Sequence, residues 1–202
     1  MTTLVVIAKE CLPGRVKTRL CPPFSPHEAA EIAAACLAET LVALAPLPFD
    51  DHVLFLDGRP PVGTGERWRV EPQPAGNLDE RLAELFDRVQ GPSLLVGMDT
   101  PHLDPRVLEP LTTWPDAVDA VFGPATDGGF WALGLREPDG SLVRGVPMSR
   151  ADTGRHQRDR LRGLRVLDLP PMTDVDTVGD LARAAAGSPR LAAVLQSLRA
   201  AS

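Results

Sequence analysis

Residues 3–20 read TLVVIAKECLPGRVKTRL. The first six, TLVVIA, form a short, nearly continuous apolar run, as expected for a β-strand covered on both faces. The chain then leaves through Pro13-Gly14 and places Arg15, Lys17 and Arg19 on alternate positions within five residues. Gly14 would let the backbone approach a ligand closely, while Lys and Arg neutralise phosphates, Arg as a fork and Lys as a point charge. A solvated basic loop is the alternative. The loop matches neither G-x-x-x-x-G-K-[ST] nor G-x-G-x-x-G, which disfavours a P-loop NTPase or a dinucleotide oxidoreductase.

Six further strands fit 52–57, 68–71, 93–97, 117–122, 130–135 and 165–169. Between them fall helices. Ser25-Pro26-His27-Glu28 supplies an N-cap, a proline at N1 and a capping-box glutamate, and the apolar positions Ile32, Leu37, Leu41 and Leu44 follow. A second helix fits 78–89, and weaker ones fit 105–111, 152–161, 178–186 and 189–200. Alternating strands and helices imply an α/β fold with a mostly parallel central sheet and helices on both faces. One domain spanning 1–202 is expected, since no repeat or long linker interrupts the pattern. Ligands of such sheets bind beyond the carboxyl ends of the strands, so the strand exits hold the candidate site.

The bulk properties narrow the partner. Of 202 residues 44% are hydrophobic, enough for a substantial core, and the net charge is −6. An acidic chain with one basic loop points to a small anionic ligand, not to nucleic acid or a membrane surface. Cys11, Cys21 and Cys36 have no paired spacing, which argues against a disulfide framework or zinc and for a reducing cytoplasm. No apolar run approaches 18 residues, and no leader pattern opens the chain. Oligomeric state is not specified.

Other exits carry carboxylates. SLLVG leads into Met98-Asp99, where Asp99 is either an N-cap or a ligand for a hard cation; Asp104-Pro105 already supplies a cap and N1 proline. Asp127-Gly128-Gly129 reads as a hairpin turn, a ligand-contacting loop, or both. In MTDVDTVGDL, Asp174 and Asp176 alternate and in extended chain point the same way; Asp176 is the expected functional member, with helix capping as the alternative. Lys17 is expected in a polar loop, where truncation would cost little packing.

Together PGRVKTRL, QPAGNLDERL, GMDTPHL, GPATDGGFWALGL and DVDTVGDL resemble the glycosyltransferase-A (GT-A) superfamily of nucleotide-diphospho-sugar transferases. The order is most similar to the bacterial family labelled radical-SAM/selenodomain-associated transferase 1. It is more distantly similar to 2-phospho-L-lactate guanylyltransferase and molybdenum-cofactor guanylyltransferase. The resemblance implies a Rossmann-like sheet, a bound nucleotide donor, a small-molecule acceptor and Mg²⁺ or Mn²⁺. It implies that Lys9, Gly14, Arg15, Lys17, Arg19, Gln73 and Gly76 contact the nucleotide, and that Asp99 and Asp176 hold the metal. Lys17, Arg19 and Asp99 would be catalytic, and Asp127, Gly128, Gly129 and Ser149 would face the acceptor. Where the family often has GDLGER this chain has Gly76-Asn77-Leu78-Asp79-Glu80-Arg81, and Pro147-Met148-Ser149-Arg150 stands where Trp-Ser-Thr is frequent. Nucleotidyl transfer is narrowly favoured over glycosyl transfer because three cations crowd one loop and the strand-end Asp is single. A non-catalytic nucleotide-binding module is the reading from another class.

Overall fold

A computed structural model describes residues 1–201. The strands are β1 (Thr3–Lys9), β2 (Asp51–Asp57), β3 (Arg69–Pro72), β4 (Ser93–Gly97), β5 (Ala120–Pro124), β6 (Phe130–Leu135) and β7 (Val166–Asp168). They form one sheet in the order β3-β2-β1-β4-β6-β5-β7. Only β6 runs against the others, pairing antiparallel with β4 and β5. Its direction matters for the site. The carboxyl ends of β1, β4, β5 and β7 and the amino end of β6 all open on one edge of the sheet.

The helices are α1 (Pro26–Leu44), α2 (Leu78–Arg88), α3 (Thr153–Arg160), α4 (Val178–Ala186) and α5 (Pro189–Ala201). Strand alternation divides the core into two layers. Leu4, Val6 and Ala8 of β1 pack with Leu37, Leu41 and Leu44 of α1, whereas Val5 packs with Leu82, Leu85 and Phe86 of α2 on the opposite face. This is the two-faced α/β sheet expected of the GT-A-like, Rossmann-like class. The first helix starts as anticipated: Ser25 N–H donates to Glu28 Oε2 at 2.7 Å, and the Ser25 hydroxyl accepts from Glu28 N–H at 3.3 Å.

Two elements differ from the sequence expectation. Residues 105–111 form two short 3-10 turns, Pro105–Val107 and Glu109–Leu111, because Pro110 lacks an N–H and its ring clashes with an α-helical preceding turn. The fifth strand begins at Ala120, three residues later than expected, because Val118 N–H closes a turn onto the Pro115 carbonyl.

A third apolar layer fastens the end of the chain to the start. Leu20, Ile32 and Cys36 pack against Val175, Leu181, Leu191 and Leu195, joining the first loop, α1, α4 and α5. Val175 is fully buried between Asp174 and Asp176, and its N–H donates to the Asp99 carbonyl at 3.0 Å. Val175→Ala should therefore cost about 1–3 kcal/mol by leaving a small cavity, measured by denaturant unfolding. An unchanged unfolding midpoint would mean that this residue does not anchor the acidic loop.

Candidate functional site

Lys17 adopts left-handed backbone angles (φ 48°, ψ 35°), rare for a residue with a side chain, and opens a 3-10 turn over Thr18–Leu20. The turn is held from inside by Leu20, which is fully buried. This geometry sends the Lys17 side chain inward, where it is only 4% exposed, to reach Asp99 Oδ1 at 2.6 Å and Asp176 Oδ1 at 3.2 Å. Burial by itself would lower the Lys17 pKa; Asp99 and then Asp176 outweigh it, so the ammonium is held charged above its ordinary range. Arg19, largely exposed, meets the other oxygen of Asp176 at 3.3 Å. The expectation of a polar loop position for Lys17 is thus corrected: truncation would strip Asp99 of its cation and leave Asp176 with Arg19 alone. The chain's composition carried the signal, because 19 of its 21 basic residues are arginine and the two lysines, Lys9 and Lys17, flank the β1 exit.

Neither aspartate is needed as a cap. Asp104 caps the turn after β4 through Arg106 N–H at 3.1 Å, and Asp180 accepts from Thr177 N–H at 2.8 Å at the start of α4. Asp99 and Asp176 are left to face a cleft. It has two lobes, of about 330 and 510 Å³, with Asp99, Asp174 and Asp176 lining both. The smaller lobe takes in Lys9, Arg15, Lys17 and Gln73. The larger takes in Arg19, Asp127, Gly129, Ser149 and Arg150.

The other expected residues divide by position. Arg15 sits on the rim, 3.9 Å from Asp57. Gly14 lies outside the lining of both lobes, and its φ of 77° serves the turn. Gly76 lines a separate groove together with Lys9 and Arg81. Gln73 spends its amide within the protein: Nε2 donates to the carbonyls of Ala8 (2.8 Å) and Phe55 (2.9 Å), and Oε1 accepts from Arg81 Nη1 (2.8 Å). The D-G turn is a hairpin between β5 and β6, with Asp127 Oδ1 accepting from Gly129 N–H at 2.8 Å. Gly128 leaves no room for a side chain, since a Cβ would lie 1.9 Å from the Ala151 carbonyl oxygen. Gly154 N–H donates to the Gly128 carbonyl at 2.8 Å, docking α3 on the hairpin. Ser149 also has a positive φ, 58°.

Arg150 and Asp174 gain weight from the structure. The sequence marks the segment 147–150 as a departure from the family without giving Arg150 a role, and it favours Asp176 over Asp174. Asp174 is pushed up to about 7, first by burial, then by Asp99 and Asp127, with Lys17 opposing and Asp176 adding. Four carboxylates, Asp99, Asp127, Asp174 and Asp176, line the larger lobe against two cations, Arg19 and Arg150. Among the described residues no three His, Cys, Asp or Glu side chains form a cluster suited to a metal. Asp99 and Asp176, sharing one ammonium, nonetheless suit a hard divalent ion that keeps waters or phosphate oxygens as its remaining ligands.

Fold and cleft define a nucleotide-diphospho-sugar-transferase-like α/β protein. Residues 29–150 match the family described as "Uncharacterized protein conserved in bacteria (DUF2064)", so the chain belongs to that family. The match omits both the Lys17 loop and the Asp174–Asp176 loop. A proposed nucleotide-diphospho-sugar transferase from Desulfovibrio desulfuricans G20 is similar over 98% of this chain and 95% of its own, with 25% identity and a TM-score of 0.82. A nucleotidyl transferase from Methanothermobacter thermautotroptrophicus shares the fold (15% identity, 96% and 99% coverage, TM-score 0.63). So does Rv0371c of Mycobacterium tuberculosis H37Rv in complex with manganese (22% identity, 91% and 96% coverage, TM-score 0.51). No curated protein matches the sequence significantly. No described helix is long and apolar enough to cross a membrane.

Two predictions follow the geometry. A carboxyl whose folded-state pKa of about 7 exceeds its unfolded value holds a proton that the unfolded chain releases. Asp174 should therefore destabilise metal-free protein progressively from about pH 4 to about pH 7, by up to roughly 4 kcal/mol, and level off above. Thermal melts of wild type and Asp174→Asn test this; parallel pH profiles would refute it. Gln73→Ala should cost about 2–3 kcal/mol by removing the side-chain donor to two carbonyls and one of the two partners of Arg81, which keeps Asp57, read as a fall in the urea midpoint, with no change counting against a structural role.

Proposed function

We propose that this protein is a metal-dependent transferase using an activated nucleotide, and more narrowly a nucleotidyltransferase acting on a small phosphorylated acceptor. One observation carries the reading: a buried lysine bridges the carboxylate at the exit of β4 and the one in the loop before α4, with Arg15 and Arg19 at the same edge of the sheet. In this reading Arg15, Lys17 and Arg19 neutralise the triphosphate of the donor, and Gly14 gives the loop its turn. Lys9 and Gly76 border the nucleotide, and Gln73 positions that wall by tying β1 to β2 and α2.

The acceptor occupies the larger lobe beside Asp127, Gly128, Gly129 and Ser149. One of its phosphate oxygens attacks the α-phosphorus in line, forming a new P–O bond. The bond between the α-phosphorus and the oxygen bridging it to the β-phosphorus breaks, and pyrophosphate leaves with that electron pair. Asp99 and Asp176 would hold Mg²⁺ or Mn²⁺, which would offset charge on the phosphates. Lys17, Arg19 and Asp99 act by positioning and charge stabilisation, the main source of rate in phosphoryl chemistry. The nucleotidyl transferase and the manganese-bound protein that share the fold support the class of reaction and of metal.

Glycosyl transfer is the second reading. It is favoured by Asp127 and Asp174 lining the acceptor lobe, where carboxylates suit a hydroxyl better than a phosphate, and by the likeness to the Desulfovibrio protein. Phosphorus NMR of the products separates the two: pyrophosphate from a nucleoside triphosphate supports nucleotidyl transfer, while a nucleoside diphosphate from a nucleotide sugar overturns it. Asp99→Asn should abolish turnover and weaken Mg²⁺ binding. It should also destabilise the fold by roughly 1–3 kcal/mol, since Lys17 loses its nearer charged partner. Wild-type metal affinity in that variant would remove Asp99 from the metal site.

A further inference from the structure

The larger lobe has a carbon floor. Ile7 of β1, Leu78 and Leu82 of α2, Leu95 of β4, Phe130 of β6 and Met148 converge there. Leu82 and Leu95 belong fully to the core, but Ile7, Leu78, Phe130 and Met148 are only partly buried at its margin. Elsewhere the large exposed apolar side chains, such as Val42, Val62, Val70 and Leu167, belong to separate elements. Partly buried apolar groups gathered in a cleft are a binding surface more often than a packing defect. At about 510 Å³ the lobe is the size of an ordinary small-molecule site.

The cations lining this lobe are Arg19 and Arg150. Arg150 is 63% exposed and holds Asp152 at 3.2 Å, so its remaining donors are open to solvent. Ser149, in its left-handed conformation, turns the chain between Met148 and Arg150, and all three line the lobe. Carbon and positive charge are thus presented side by side by three consecutive residues.

From this juxtaposition we infer that the acceptor is a phosphate monoester with an apolar organic part, which lies on the floor while its phosphate faces Arg19 and Arg150. The inference rests on the transferase reading and names its acceptor class. A polyol phosphate of equal charge would lose hydration of its hydroxyls against carbon and gain little.

The test is calorimetric titration of the full chain with hexyl phosphate and with glycerol 3-phosphate, each with and without Mg²⁺ and a non-hydrolysable nucleoside triphosphate. Hexyl phosphate should bind at least tenfold more tightly. Met148→Gln, a change of similar size on a half-buried loop, should erase most of that preference while leaving nucleotide affinity unchanged. Arg150→Gln should weaken both phosphates alike. Equal affinities, no binding of either phosphate, or a preference that survives Met148→Gln would overturn the inference. Nucleotide affinity is read in the same titrations: if nucleotide binds while the two phosphates are indistinguishable, the acceptor class falls and the transferase reading stands. If no nucleotide binds, that reading falls instead.

Discussion

A single ammonium group organises this protein's cleft. Lys17 joins the loop after β1, the exit of β4 and the segment after β7, three pieces of chain that are distant in sequence. Two costs oppose the arrangement. A non-glycine residue in the left-handed region loses about 1–2 kcal/mol, and burying a charge costs several more unless it is paired. Contact with two carboxylates offsets the burial, and the packing of Leu20 holds the turn. The choice of lysine follows from the same geometry. A guanidinium is a planar fork suited to one carboxylate, whereas an ammonium is a compact point that two carboxylates can share from different directions.

The ammonium can reach both partners because of one strand's direction. With β6 antiparallel, the β5–β6 hairpin returns to the edge where β1 and β4 end. The following chain then lies along that hairpin: Thr126 N–H donates to the Met172 carbonyl at 2.9 Å, and Thr126 and Thr173 share a hydroxyl contact at 3.1 Å. Val175 completes the tie by donating to Asp99. Backbone bonds thus fix the spacing of Asp99, Asp127, Asp174 and Asp176 before any ligand arrives, which is the preorganisation that charge stabilisation requires.

The sequence made the strands legible because most are short apolar runs between strong turn signals, and it made α1 legible through its capping box. Strand exits then pointed to Asp99 and Asp127 by the general rule for parallel sheets, and the alternation of Asp174 and Asp176 pointed to Asp176. Burial was less accessible. Lys17 reads as one of three alternating loop cations, yet Arg15 and Arg19 are exposed and Lys17 is enclosed, a difference set by a backbone angle that no residue type announces. Gln73 is similar. The resemblance carried by QPAGNLDERL implied a ligand contact, but the Gln73 amide is consumed by carbonyls contributed by β1 and β2, a pairing visible only once β3 is docked. Arg150 lay in a segment marked as a departure from the family yet received no role of its own, because a lone arginine in a loop carries no periodic signal.

The remaining imbalance is electrostatic. Asp99, Asp127, Asp174 and Asp176 line the larger lobe together, whereas Lys17 and Arg19 are the cations paired with them. Asp174, raised first by burial and then by Asp99 and Asp127, retains its proton to about neutral pH. A fold selected for stability alone would replace one of these carboxylates with an amide at little cost in shape. Keeping all four leaves the larger lobe, whose lining cations are Arg19 and Arg150, short of positive charge, and a species that supplies it would be favoured by the relief of that repulsion. A divalent cation arriving with a nucleotide has the matching charge and the matching preference for oxygen. In the proposed reading, the carboxylates that repel one another are therefore the ones that would hold that cation, so the same residues that cost stability would serve binding.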